Sequence, residues 1–110
     1  MTTESNDKLV IIKPTENSIL DFFLAFKEKY SNFNTKNLIL DFSDFNGVKT
    51  ENIFVILQLV KSHRNNGMSF VIVTNEIDAD DLPDEFVTVP TLTEAKDIIE
   101  MEEIERDLGF

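Results

Sequence analysis

Apolar and polar residues fall along this chain in alternating blocks. Leu9 to Ile12 form a short apolar run closed by Pro14, which reads as a strand. Ile19, Phe22, Phe23, Phe26 and Tyr30 then recur at helical spacing, with Thr15 placed to cap the helix. Leu38 to Phe42 repeat the strand signal after the turn region Ser31-Asn32-Phe33-Asn34, and Gly47 breaks the loop that follows. The next helix is expected from about Thr50 to Arg64, ended by Asn65-Asn66-Gly67. Met68 to Val73 form a third apolar run, followed by the acidic segment Glu76 to Glu85 and a fourth strand around Phe86 to Val89. A last helix opens at Thr91-Leu-Thr-Glu94, a capping box in which Thr91 accepts from the backbone N–H of Glu94 and Glu94 reaches back to that of Thr91.

Strands alternating with helices predict an α/β fold with a small, mostly parallel, four-stranded sheet. Residues 1–110 are expected to form one domain, with 100–110 as an acidic helical tail. Thr50 and Thr91 then stand where helices begin after strands. That is the carboxyl edge of the sheet, where ligands and partners of such folds dock.

Composition narrows the function. A net charge of -11 opposes direct binding to nucleic acid and to anionic membrane, because like charges repel. Ten Phe with no Trp and one Tyr point to aromatics used for packing. The absence of Cys removes disulfides, thiolate metal sites and cysteine nucleophiles, and favours the cytoplasm. No apolar run reaches the ~18 residues of a membrane span.

The residues that carry chemistry are few. Ser43 and His63 are the sole nucleophile and base pair near the loop, but His63 lies turns away from Thr50 and near the stripe of Ile53, Ile56, Leu57 and Val60. A core histidine, satisfied or half-exposed, is the expectation. The segment Glu76-Ile-Asp78-Ala-Asp80-Asp81-Leu-Pro-Asp84-Glu85 invites a calcium reading, yet it lacks the central Gly and has Leu82 at a ligand position. It reads as a solvated loop and helical turn. No catalytic residue, metal site or cofactor is therefore expected.

Two helices carry surplus apolar surface. In the first, Phe54, Val55 and Leu59 project away from the core stripe, to be covered by a neighbouring helix, a partner or a second copy of the chain. In the last, Leu92, Ala95, Ile98 and Ile99 share one stripe while Met101, Ile104 and Leu108 share another, rotated by well over a right angle. Seven acids against Lys96 and Arg106 between Glu94 and Asp107 also oppose the helix dipole near its end. Met101 to Phe110 is thus either a frayed solvated tail or a docking segment, and its removal is expected to leave the fold largely intact.

The layout from Leu9 to about Ile99 resembles the STAS domain, the fold of anti-sigma factor antagonists and sulfate transporter tails. Leu38-Ile-Leu-Asp-Phe42 matches the strand before that family's motif, Val48-Lys49-Thr50-Glu51-Asn52 falls on the motif, and Ile53-Phe-Val-Ile-Leu57 matches its helix. Val89-Pro-Thr-Leu-Thr-Glu-Ala95 looks like the last strand and helix start. Where the motif has Asp-Ser-Ser-Gly, this chain has Lys49, Thr50, Glu51 and Asn52, so the phosphorylated serine is replaced by Glu51. A carboxylate there either imitates the phosphorylated state or is simply an acid favoured in a helix's first turn.

The run from Thr93 to Phe110 also looks like the end of small bacterial proteins that carry, or accompany something with, the name ribonuclease Z. Catalysis of that kind needs a histidine-rich zinc cluster, and the chain has only His63 and no Cys. What the first resemblance implies is a non-catalytic regulatory module acting by protein–protein contact. The expected contact residues are Lys49, Thr50, Glu51 and Asn52 on the motif, the surplus apolar Phe54 and Val55, and Met101, Ile104, Leu108 and Phe110 on the tail segment read from the last helix's second stripe. The implied partner is a protein, such as an anti-sigma factor kinase or a nuclease. The rival readings are a companion or regulator of ribonuclease Z in tRNA processing, and a module binding a small anion or nucleotide at the same helix start.

Overall fold

A computed structural model describes residues 1–109 of the chain, which leaves Phe110 outside the described residues. Its strands are β1 (Thr2–Ser5), β2 (Leu9–Lys13), β3 (Asn37–Asp41), β4 (Phe70–Val73) and β5 (Val87–Val89), side by side in that order. Strands β2 to β5 are parallel, as the alternation of strands with helices predicts, while β1 folds back antiparallel on β2.

The expected four-stranded sheet is one strand short. All four side chains of Thr2–Ser5 are exposed, so no apolar period marks that strand. It is held by its backbone ladder, with Thr3 opposite Ile12, and by a turn in which the Asn6 side chain accepts the N–H groups of Lys8 and Leu9 at 2.8 and 2.9 Å.

β3 and β4 are buried along their whole length, which is why they read as unbroken apolar runs and not as alternating ones. Their side chains sort strictly by parity. Val10, Ile12, Leu38, Leu40, Phe70 and Ile72 face one side, and Ile11, Ile39, Val71 and Val73 the other.

The first side is covered by α1 (Ile19–Lys29), α2 (Thr50–Ile53) and α3 (Leu57–Asn65). Phe22, Phe23, Phe26, Phe42 and Phe70 are all buried there, and the Phe22 and Phe42 rings meet edge to face at 5.5 Å. The second side is covered by α4 (Leu92–Asp107) through Ala95 and Ile99, with Leu92 and Ile98 alongside.

One helix start and one helix interior differ from expectation. α1 is capped by Ser18, whose hydroxyl accepts the Asp21 N–H at 3.1 Å, and not by Thr15. Thr15 instead accepts from the terminal ammonium of Met1 at 2.7 Å. The expected helix from Thr50 to Arg64 is interrupted by a 3-10 turn at Phe54–Ile56. Ile53-Phe54-Val55-Ile56 is a β-branched and aromatic run of weak helix propensity, and the tighter turn aligns Ile53 with Ile56 so that both reach the core. Leu59, expected to project away, packs against that core as well.

Candidate interaction site

The loop from Phe42 to Lys49 leaves β3 at the carboxyl edge, and its shape is dictated by where its backbone donors go. Asp41, buried at the end of β3, accepts the Ser43 N–H at 3.0 Å, and its other oxygen lies 3.7 Å from the Lys13 ammonium. Val48 is buried and pins the loop to the core. Glu76, from the segment after β4, accepts the N–H groups of Gly47 and Val48 at 2.9 and 2.7 Å with one carboxylate oxygen. Gly47 has φ +89°, a conformation that opens the turn and that a side chain would strain.

Helix α2 then starts at Thr50, as the sequence suggests. Lys49, not Thr50, is the N-cap residue, and Thr50 is the first helical position. A lysine has no acceptor to cap the helix, so only the reciprocal bond forms: the Asn52 side chain accepts the Lys49 N–H at 3.0 Å. Lys49 and Glu51 are exposed, Thr50 and Asn52 half-buried. Phe54 and Val55 are 44% and 45% exposed, and one edge of the Phe54 ring meets Phe86 at 6.4 Å. The structure therefore gathers Lys49, Glu51, Phe54 and Val55 on one accessible end of the sheet.

The remaining residues singled out lie elsewhere. Ser43 is exposed at the carboxyl edge, whereas His63 is fully buried at the amino edge against Phe70, the first residue of β4. His63 Nδ1 is 2.6 Å from the Tyr30 hydroxyl, and its Nε2 has no hydrogen-bond partner among the described residues. Burial holds the imidazole below its ordinary pKa, the Lys36 backbone beside it partly opposes this, and the Arg64 cation adds to the lowering. Burial also raises the Tyr30 pKa. Both shifts favour the uncharged phenol and the uncharged imidazole, which share this one hydrogen bond. In the acidic segment, Ala79–Asp81 forms a 3-10 turn in which Asp78 accepts the Asp80 N–H at 2.9 Å, while Leu82 and Phe86 anchor it to the core.

Sequence reasoning missed the polar web under α4. Asn37 and Ser69, both buried at the amino edge, are joined by the Ser69 N–H donating to Asn37 Oδ1 at 2.8 Å. Glu102 accepts from Ser69 Oγ at 2.6 Å and from Arg64 at 2.9 Å, and Glu103 accepts from Asn37 Nδ2 at 2.7 Å. Arg106 donates to Ser69 Oγ and to Asn37 Oδ1 at 3.1 and 3.3 Å. Residues 101–107 are therefore no loose tail: α4 runs unbroken to Asp107, and its last turns are clamped to the sheet. Removing Met101 to Phe110 would take the α4 side of this web away with it. The signal was present in the sequence, because Glu102 and Arg106 fall on the same helical side as Ile99 and Ala95. Met101, Ile104 and Leu108 point away from the web and are 57%, 53% and 66% exposed.

The opening of α4 shows half of the expected capping box, with Thr91 Oγ1 accepting the Glu94 N–H at 3.1 Å. No helix among the described residues is long and apolar enough to cross a membrane.

No protein-family model and no curated protein matches the chain. Among solved structures, the NMR structure of the protein TM1081 matches with a TM-score of 0.66 at 23% identity, covering 89% of this chain and 86% of that one. At that identity the likeness establishes the fold alone, and the chain shares its α/β architecture with TM1081.

Proposed function

We propose that this chain is a non-catalytic regulatory module that binds a partner protein through the start of α2, in the manner of an anti-sigma factor antagonist that lacks the usual phosphorylatable serine. The observation that carries this reading is the exposed pair Phe54 and Val55, set one turn beyond the exposed Glu51 at the carboxyl edge. Exposed aromatic surface next to a fixed charge is what a protein interface uses as an anchor and its orienting contact.

The rival reading as an anion or nucleotide module fares worse at the same place. The loop N–H groups that would cradle an anion are already engaged, those of Gly47 and Val48 by Glu76 and that of Lys49 by Asn52. Glu51 adds a repelling charge.

The test is affinity purification with mass spectrometry from the native cell, comparing the whole chain with Glu51→Lys and with Phe54→Ser. Both positions are exposed, so thermal melting should stay close to that of the parent. The same subset of captured proteins is expected to disappear with either change. An identical partner list for all three chains rejects the α2 surface.

A further inference from the structure

Helix α4 covers its side of the sheet alone, so its outward face has no neighbour within the described residues. Met101, Ile104 and Leu108 follow one another along that face at three- and four-residue steps, each more than half exposed. Around them stand Glu94, Asp97, Glu100 and Glu105, all exposed.

The charge on this face is unbalanced because the helix's basic group is turned inward. Arg106 reaches under the helix to Ser69 and Asn37, and Arg64 meets the inward Glu102. Lys96 remains exposed, but on an ideal helix it lies more than a quarter turn round from the Met101 and Leu108 line. The outward face is an apolar stripe bordered by carboxylates.

We propose that this face docks an amphipathic, basic helix of a partner protein, the three apolar side chains filling its apolar seam and the flanking carboxylates pairing with lysines or arginines on either side of it. The geometry is that of a helix laid along a helix, with i, i+3, i+7 anchors. A second copy of α4 is disfavoured as the occupant, because pairing the helix with itself sets four carboxylates against four. An anionic lipid surface is repelled for the same reason. The proposal rests on the reading of the chain as an interaction module and gives it a second surface with a stated partner chemistry.

The probe is a synthetic peptide of about 18 residues with leucine at heptad a and d positions and lysine elsewhere, titrated into the 15N-labelled full chain. A control peptide has the same composition in scrambled order. Expected are chemical-shift changes confined to residues 94–109, on α4 and the turn that closes it, weakening with added salt, and little response to the scrambled peptide. Ile104→Ser with Leu108→Ser, and separately Asp97→Lys with Glu105→Lys, should each weaken binding about tenfold or more while the melting temperature holds. Equal binding of the scrambled peptide, shifts centred away from α4, or variants that bind like the parent would overturn the proposal. So would a stable dimer held through α4 that excludes the peptide, seen by sedimentation. If α4 fails these tests while the Glu51 and Phe54 variants still lose their partners, this surface is wrong and the α2 reading stands.

Discussion

The two edges of the sheet are built on opposite plans. At the amino edge, Asn37, Ser69, Arg64, Glu102, Glu103 and Arg106 bond one another across β3, β4, α3 and α4, and His63 with Tyr30 fills the space beside them. At the carboxyl edge, one exposed carboxylate, Glu76, bridges to the loop before α2, and the side chains beyond it point into solvent. Buried polar networks are costly to break because each orphaned group loses its partner where water cannot replace it. Exposed helix starts lose little. The molecule thus holds itself together at one edge and leaves the other free to be touched, a division that mutation can test.

The largest effect should come from cutting the chain after Glu100. This removes Glu102, Glu103 and Arg106 and leaves buried Asn37 and Ser69 without their side-chain partners. With about 1–3 kcal/mol at stake for each orphaned group, a loss of about 3 kcal/mol or more is expected in urea unfolding. A truncated chain as stable as the parent would erase the contrast between the edges. Next comes Asn37→Ala, which takes the acceptor from the Ser69 N–H and the donor from Glu103, and should cost about 2 kcal/mol by the same measurement.

His63 sharpens the comparison through pH. Its folded pKa lies below the ordinary 6.5, so the unfolded chain binds more protons than the folded one between those two values. Stability from His63 is therefore complete above about pH 6.5 and falls as pH drops below it, by up to about 1.4 kcal/mol per unit until the folded pKa is reached. Glu16, whose carboxyl is held below its usual 4.5, contributes its own loss only in a more acidic range. Urea midpoints between pH 7 and 5 should slope downward in the parent and flatten in His63→Phe. Equal slopes in both chains would remove His63 from the amino-edge account.

How much of this was legible follows from what each feature depends on. Leu38 to Phe42 and Met68 to Val73 announced β3 and β4 because burial on both faces leaves an unbroken apolar run. Phe22, Phe23 and Phe26 announced the buried face of α1 in the same way. β1 was invisible, since a strand held by backbone bonds alone with every side chain in water writes no period into the sequence. The break after Ile53 was legible only as weak propensity, which packing decides. On α4 the acids were read as one population, yet Glu102 and Glu103 are structural partners of distant residues while Glu100 and Glu105 are exposed. Asn37 and Ser69, the partners of Glu103 and Glu102, lie 66 and 33 residues away along the same chain, beyond the reach of any local pattern. On α1, Leu20 and Leu24 are exposed apolar residues that the helix periodicity did not single out.

The smallest effects belong to the carboxyl edge. Glu76→Ala frees the Gly47 and Val48 N–H groups at a place water can reach, so about 1 kcal/mol is expected, with faster amide exchange confined to the loop. Phe54→Ser and Val55→Ser should each lie within about 0.5 kcal/mol of the parent, because side chains that are nearly half exposed give up little burial. The Phe54 ring touches Phe86 at its edge, so a cost above that range would mean it serves the core of its own domain. A near-neutral change that also abolishes partner capture would instead mark it as surface kept for another molecule. Stability and capture, measured on one variant, therefore separate the two roles that a partly exposed aromatic side chain can play.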